Sequence, residues 1–287
     1  MTKHLDKEKI EKALQETAQE VRGVQLSPKA LSKFGTSKMD ALFRSYIDGE
    51  IALYLKGLPM LIKKLGLKNI VELGNREGVS TVCLWDSLAN DARLTTIDIE
   101  KDQRFCPEEM FRDSRVRFIF GDVCDLEIFS GKIPFDIDFL FTDTIHFNFQ
   151  IEDEFEIYQY LLADTALVAI DDININDKRL FFDKINFKKW DVTKQFHVSG
   201  FGLFLFERKN PLSKEERLKL AYQASAKIWK RKYDEAQAKL SKLHGKSLGT
   251  VSKKIIKKIP GFYKIYTSTY NKYHARKHPN IIRYSKK

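Results

Sequence analysis

At 287 residues, 43% hydrophobic and 12% aromatic, the chain can bury one large core, or one core plus an accessory region, which excludes a disordered or fibrous protein. Its net charge of +11 hides a division: residues 1–207 hold 27 Lys and Arg against 35 Asp and Glu, a balance of −8, whereas residues 208–287 hold 23 against 4, or +19. Cys83, Cys106 and Cys124 are odd in number and lack CxxC spacing, which speaks against a disulfide framework or a zinc site. Nowhere do 18 uncharged apolar residues run together, and residues 1–8 offer no apolar signal segment, so the expected location is the cytosol.

In chain order, residues 5–22 read as a charged amphipathic helix with Leu5, Ile10, Leu14 and Val21 near one face. Ser27-Pro28 is a break. Residues 39–65 give a second helical region, interrupted near Gly57-Leu58-Pro59 and carrying Leu42, Tyr46, Ile51, Leu53, Leu61 and Ile62. Strand and helix signals then alternate. Strands are predicted at 69–74, 94–99, 116–121, 135–142 and 165–171, with helices at 79–89, 103–112, 124–130 and 150–162 between them. That is the rhythm of a parallel sheet covered on both faces. After a helix near 177–187, closing strands at 190–198 and 201–207 are joined by Ser199-Gly200 as a hairpin, which brings an antiparallel strand into the sheet. Ser213-Lys214-Glu215-Glu216 is a capping box that opens a helix running to about Leu243.

The chain turns on Ile70-Val71-Glu72-Leu73-Gly74-Asn75-Arg76-Glu77-Gly78, where an apolar strand hands over to a glycine turn and a helix start. Ligands of open parallel sheets gather at the carboxyl ends of strands, and each predicted strand here ends in an acid. Gly74 and Gly78 allow close backbone approach. A dinucleotide fingerprint would need a middle glycine, and Glu77 would repel phosphates, so the turn suits a ligand without a pyrophosphate. Asp98, 20 residues beyond Gly78, is either a ribose-binding carboxylate or a solvated strand-end acid. Asp122 either receives the amine of an adenine or caps the next helix.

Glu72-x-Gly74-x-x-x-Gly78 with Ser80-Thr81, then Asp98, Gly121-Asp122, Asp143-Thr144-Ile145-His146 and Asp171-Asp172, resembles the class I S-adenosylmethionine-dependent methyltransferases. Within that class the chain is most similar to small-molecule and sugar O-methyltransferases with Asp-x-x-His and Asp-Asp strand-end motifs. The resemblance covers roughly residues 66–207. It implies a Rossmann-like, mostly parallel seven-stranded α/β sheet with a closing antiparallel strand, with the cofactor held by Glu72, Gly74, Gly78, Ser80, Asp98 and Asp122. Gly74 and Gly78 would lie near the methionine part, Asp98 on the ribose and Asp122 on the adenine. Commoner relatives read Asp-Gly-Asp-His-Ser-Tyr where this chain has Asp143-Thr144-Ile145-His146-Phe147-Asn148, so one acid and an aromatic hydroxyl are missing. Metal-dependent relatives imply Mg²⁺ on Asp143, Asp171 and Asp172, which as hard oxygen ligands suit that ion. Methyl transfer to a hydroxyl needs a base or a cation, and Asp143 and His146 are the catalytic candidates. His197, on a predicted closing strand, reads as structural.

Three regions follow: an N-terminal helical cap at 1–65, the cofactor domain at 66–207 and a basic helical tail at 208–287. In the tail, Ile255, Ile256, Ile259, Phe262, Tyr263, Tyr266, Tyr270 and Tyr273 recur among lysines without acids. Such a helix fits an anionic membrane surface, where each lysine contributes on the order of 1 kcal/mol. The alternatives are nucleic-acid binding by charge and stacking, or packing on the body or in a homo-oligomer. A membrane-held enzyme, peripheral on the inner face, would suit a saccharide or other envelope precursor in polysaccharide biosynthesis. An RNA methyltransferase guided by the tail, or a non-catalytic cofactor-binding scaffold, are the competing functions.

Overall fold

The apolar runs form seven strands in a computed structural model that describes residues 5–24, 52–103 and 105–244. They are β1 (Asn69–Leu73), β2 (Arg93–Asp98), β3 (Val116–Phe120), β4 (Ile137–Thr142), β5 (Leu162–Asp171), β6 (Lys188–Asp191) and β7 (Phe201–Glu207). The helices are α1 (Lys7–Glu20), α2 (Tyr54–Leu65), α3 (Val79–Asp86), α4 (Glu108–Arg112), α5 (Asn148–Tyr158), α6 (Arg179–Lys184), α7 (Thr193–Phe196) and α8 (Lys214–His244). The sheet order is β3-β2-β1-β4-β5-β7-β6, parallel except for β7, which runs antiparallel to both β5 and β6. Strand order reverses between β1 and β4, which register through Ile70 with Phe139 and Leu73 with Thr142. Ligands of such sheets bind beyond the carboxyl ends of the two strands at this reversal.

The central strands are buried on both faces, so Ile70, Val71, Leu73, Phe139, Leu140 and Phe141 are all within 2% of complete burial. α1 docks through Ile10, Ala13 and Leu14, and is tied to α2 by Lys64, whose Nζ reaches Glu16 at 3.2 Å and Glu20 at 3.0 Å. α2 was expected to break near Gly57-Leu58-Pro59, yet it runs through them. Pro59 removes one amide donor, but Leu55, Leu58, Leu61, Ile62 and Leu65 are all buried, and that apolar stripe carries the helix past the proline. Gly57 is needed there because a Cβ would strike the Phe196 ring.

The expected strand over 190–198 ends at Asp191 instead. The Asp191 carboxylate accepts from Thr193 N at 3.1 Å and Thr193 Oγ1 at 2.5 Å, which turns the chain into α7. Ser199-Gly200 is thus the end of a nine-residue connection and not a two-residue hairpin. The segment expected as a helix over 124–130 is a 3₁₀ turn at Leu126–Phe129, and α4 begins five residues later than expected. The capping box forms as read: Ser213 N donates to Glu216 Oε2 at 2.8 Å and Glu216 N to Ser213 Oγ at 3.2 Å. Two compact units divide within α8, at Gln223 and Ala224, and the described part of the second is the rest of that helix. The Ser27-Pro28 break, the first part of the 39–65 helix and the isoleucine-rich tail lie outside the described residues.

Candidate active site

Gly74, Arg76 and Gly78 all take positive φ (86°, 42° and 91°), which folds the turn tightly beyond β1. A Cβ on Gly74 would collide with the Asp143 carbonyl oxygen, and one on Gly78 with Cys106 Sγ, so both glycines are demanded by packing of the neighbouring segments. Asp98 closes β2 and anchors the turn: its Oδ2 accepts from Asn75 N at 2.8 Å and Arg76 N at 2.7 Å, and its Oδ1 from Glu100 N at 2.8 Å. Asp122 Oδ1 accepts from Cys124 N at 2.9 Å. Beneath the turn Glu72 is fully buried and accepts from Ser80 Oγ (2.5 Å), Thr81 Oγ1 (2.7 Å) and Thr96 Oγ1 (2.7 Å).

Burial pushes the Glu72 carboxyl up to about 7 against the pull of its three hydroxyl partners. A raised carboxyl means that the folded protein holds a proton which the unfolded chain releases near 4.5. Stability from this group is therefore greatest below that value and falls by up to about 1.4 kcal/mol per unit as pH rises towards about 7. Glu72→Gln should flatten that slope in urea unfolding between pH 5 and 8, while an unchanged slope would mean another group carries it.

Beside the turn, the ends of β4 and β5 bring a second set together. His146 Nε2 lies 3.1 Å from Asp172 Oδ2 and 3.7 Å from Asp143 Oδ1, with its side chain 37% exposed. His197 Nδ1 lies 2.7 Å from Asp171 Oδ1, and Ser199 Oγ bonds to Asp172 Oδ1. Buried Glu154 collects donors from Thr142 (2.6 Å), Thr144 (2.6 Å) and Gln150 (2.8 Å). Burial raises Asp143 and Asp171, and each is raised further by a neighbouring carboxylate. Burial alone would lower both histidines, but the facing carboxylates outweigh it and raise them: Asp143 and Asp172 for His146, Asp171 and Asp172 for His197.

A turn without side chains at its ends, acids at the ends of β2 and β3, and an imidazole among carboxylates at the ends of β4 and β5 share the carboxyl edge of the sheet. Residues 71–173 match the methyltransferase-domain family. Over that stretch the chain is similar to methyltransferase domains. Solved structures of similar fold include a methyltransferase from Geobacter sulfurreducens (TM-score 0.43, 18% identity, 71% of this chain and 91% of that one). The O-methyltransferase TomG from Streptomyces achromogenes, in complex with SAM, gives a TM-score of 0.43 at 20% identity over 71% of this chain and 91% of its own. An O-methyltransferase from Bacillus cereus in complex with SAH gives 0.40 and 18% over 72% and 94%. A comparison with curated proteins gives no match.

The groups around the turn suit a ligand that carries a nucleoside. Asp98 and Asp122, each 8% exposed, border the turn, and the partly exposed apolar side chains of Ile99 and Phe120 stand next to them. These suit a ribose and a flat base, while Glu77, expected to repel a phosphate, is buried and paired with Arg76 Nε at 3.2 Å. The expected magnesium set fits less well. Among the described residues the ligand atoms that converge are Asp143 with His146 and Asp172, and Asp171 with Asp172 and His197, so no purely carboxylate trio forms. Mg²⁺ favours six oxygens in near-ideal octahedral geometry, and an imidazole in each trio departs from that.

Of the residues expected at the site, the structure groups Gly74, Gly78 and Asp98 at the turn, and Asp143, His146, Asp171 and Asp172 in the neighbouring cluster. Glu72 and Ser80 bond to each other below the turn. Sequence reasoning gave His197 a structural role and did not single out Glu154, Lys178, Ser199 or Tyr54. The Tyr54 ring centroid lies 5.1 Å from that of His197, and burial and then the Asp171 charge hold its phenol protonated. No local pattern marks these residues, because each meets the cluster through a long-range contact.

Proposed function

We propose that this chain is a class I S-adenosylmethionine-dependent methyltransferase that transfers a methyl group to a hydroxyl oxygen of a small molecule or saccharide, with His146 as the base and Asp143 and Asp172 orienting its ring. The observation that supports this most is the partly exposed His146 imidazole beside two carboxylates at the ends of β4 and β5. When bound, the cofactor supplies a sulfonium-activated methyl group. Gly74 and Gly78 would leave room for its amino-acid part, with Glu72 and Ser80 bracing the turn, while Asp98 would take the ribose hydroxyls and Asp122 the adenine amine. With Nε2 donating to the carboxylates, Nδ1 of the neutral His146 ring would accept the proton that the hydroxyl oxygen loses as it bonds the methyl group, while the sulfonium leaves as the thioether S-adenosylhomocysteine.

The charge and isoleucine pattern of residues 253–273 supports an acceptor presented at an anionic membrane surface, and no described helix is long and apolar enough to cross a membrane. The test is calorimetric titration of S-adenosylhomocysteine, followed by transfer of labelled methyl to saccharide acceptors, free and on anionic vesicles, with RNA as the comparison. Binding with label on a saccharide hydroxyl is expected. Label on RNA alone would overturn the acceptor class, and no binding would overturn the assignment of the turn.

A further inference from the structure

Lys178 immediately precedes α6 and is completely buried. Its Nζ has no hydrogen-bond partner. An ammonium removed from water without a single bond is strongly unfavourable unless surrounding charge compensates it. Other residues fix its place. Asn176, itself at φ +52°, donates Nδ2 to the His146 carbonyl oxygen at 2.7 Å, and Asn148 N donates to Asp177 Oδ1 at 2.8 Å. These bonds lash the loop after β5 to the loop after β4, and the Lys178 charge acts on Asp143, Asp171, Glu154 and His146. Two of the carboxylates expected to hold magnesium are already engaged, Asp171 by His197 and Asp172 by Ser199.

Resting on the O-methyl-transfer reading above, we propose that Lys178 is a positioning residue whose ammonium takes the electrostatic place of a divalent ion, balancing the carboxylate cluster so that the chain works without an added metal. A doubly charged ion entering the same cluster would be repelled by this buried charge, and removing the charge should admit one.

Mn²⁺ titration followed by electron paramagnetic resonance tests this on the wild type, Lys178→Met, Lys178→Arg and the double variant Lys178→Met/Asp143→Asn. The expected result is that wild type and Lys178→Arg bind Mn²⁺ weakly, while Lys178→Met binds about tenfold or more tightly and loses the gain in the double variant. Methyl transfer by the wild type should be unchanged by a chelator, and transfer by Lys178→Met should become stimulated by Mn²⁺. Tight Mn²⁺ binding by the wild type, or chelator-sensitive transfer, would overturn the proposal, as would a folded Lys178→Met that gains no affinity. The unfolding midpoint and S-adenosylhomocysteine affinity report whether each variant is folded, and the wild-type arms decide the matter if Lys178→Met is not. Because the metal titration needs no acceptor, its failure is distinct from a failure to find a methylated hydroxyl.

Discussion

Replacing His146 with glutamine is expected to lower kcat by about 10²–10⁴-fold while leaving S-adenosylhomocysteine affinity within about twofold of wild type. The imidazole sits among the β4 and β5 acids and not in the glycine turn, so its loss removes proton acceptance without touching the cofactor side. In the wild type the rate should rise with pH as the ring loses its proton. Because Asp143 and Asp172 raise the ring above its ordinary value near 6.5, that limb should lie above 6.5, and Asp172→Asn should move it down. Single-turnover rates across pH 5.5–9 read both effects. A His146→Gln enzyme with unchanged kcat would remove His146 from the chemistry and leave Asp143 as the candidate base.

Asp98→Ala is expected to weaken S-adenosylhomocysteine binding at least about 100-fold and to cost roughly 2–5 kcal/mol of stability. One carboxylate holds the amides of Asn75, Arg76 and Glu100, and alanine would leave these donors without it beside a turn that already contains three positive φ values. Calorimetry and urea unfolding separate the two consequences. Affinity retained with stability lost would make Asp98 a brace for the turn alone, whereas the expected joint loss fits a group that both shapes the turn and meets the ribose.

The order of elements was legible because it rests on local signals. Alternating apolar runs, the glycines at 74 and 78 and the Ser213–Glu216 box each act within a few residues, and the structure places them as read. The misreadings were also local in origin. Residues 190–198 look strand-like until Asp191 caps Thr193, and Gly57-Leu58-Pro59 looks like a break until the buried leucines around it are counted in.

By itself the sequence determined that a parallel sheet would carry a row of acids at its carboxyl edge, with a glycine turn at the first and an imidazole near the fourth. Only the tertiary structure decided which way those acids would look. Glu72 lies on a strand buried on both faces, so neither alternation nor hydropathy could tell that its carboxylate turns inward to three hydroxyls. His197 and Ser199 join Asp171 and Asp172 from the segment before β7, with Asp171 and His197 separated by 26 residues, and Lys178 acts on Asp143 by charge alone. Charge pairing of that kind depends on distance in space and on how much water is excluded around the pair, and both are set only when the sheet closes and its loops pack over the edge.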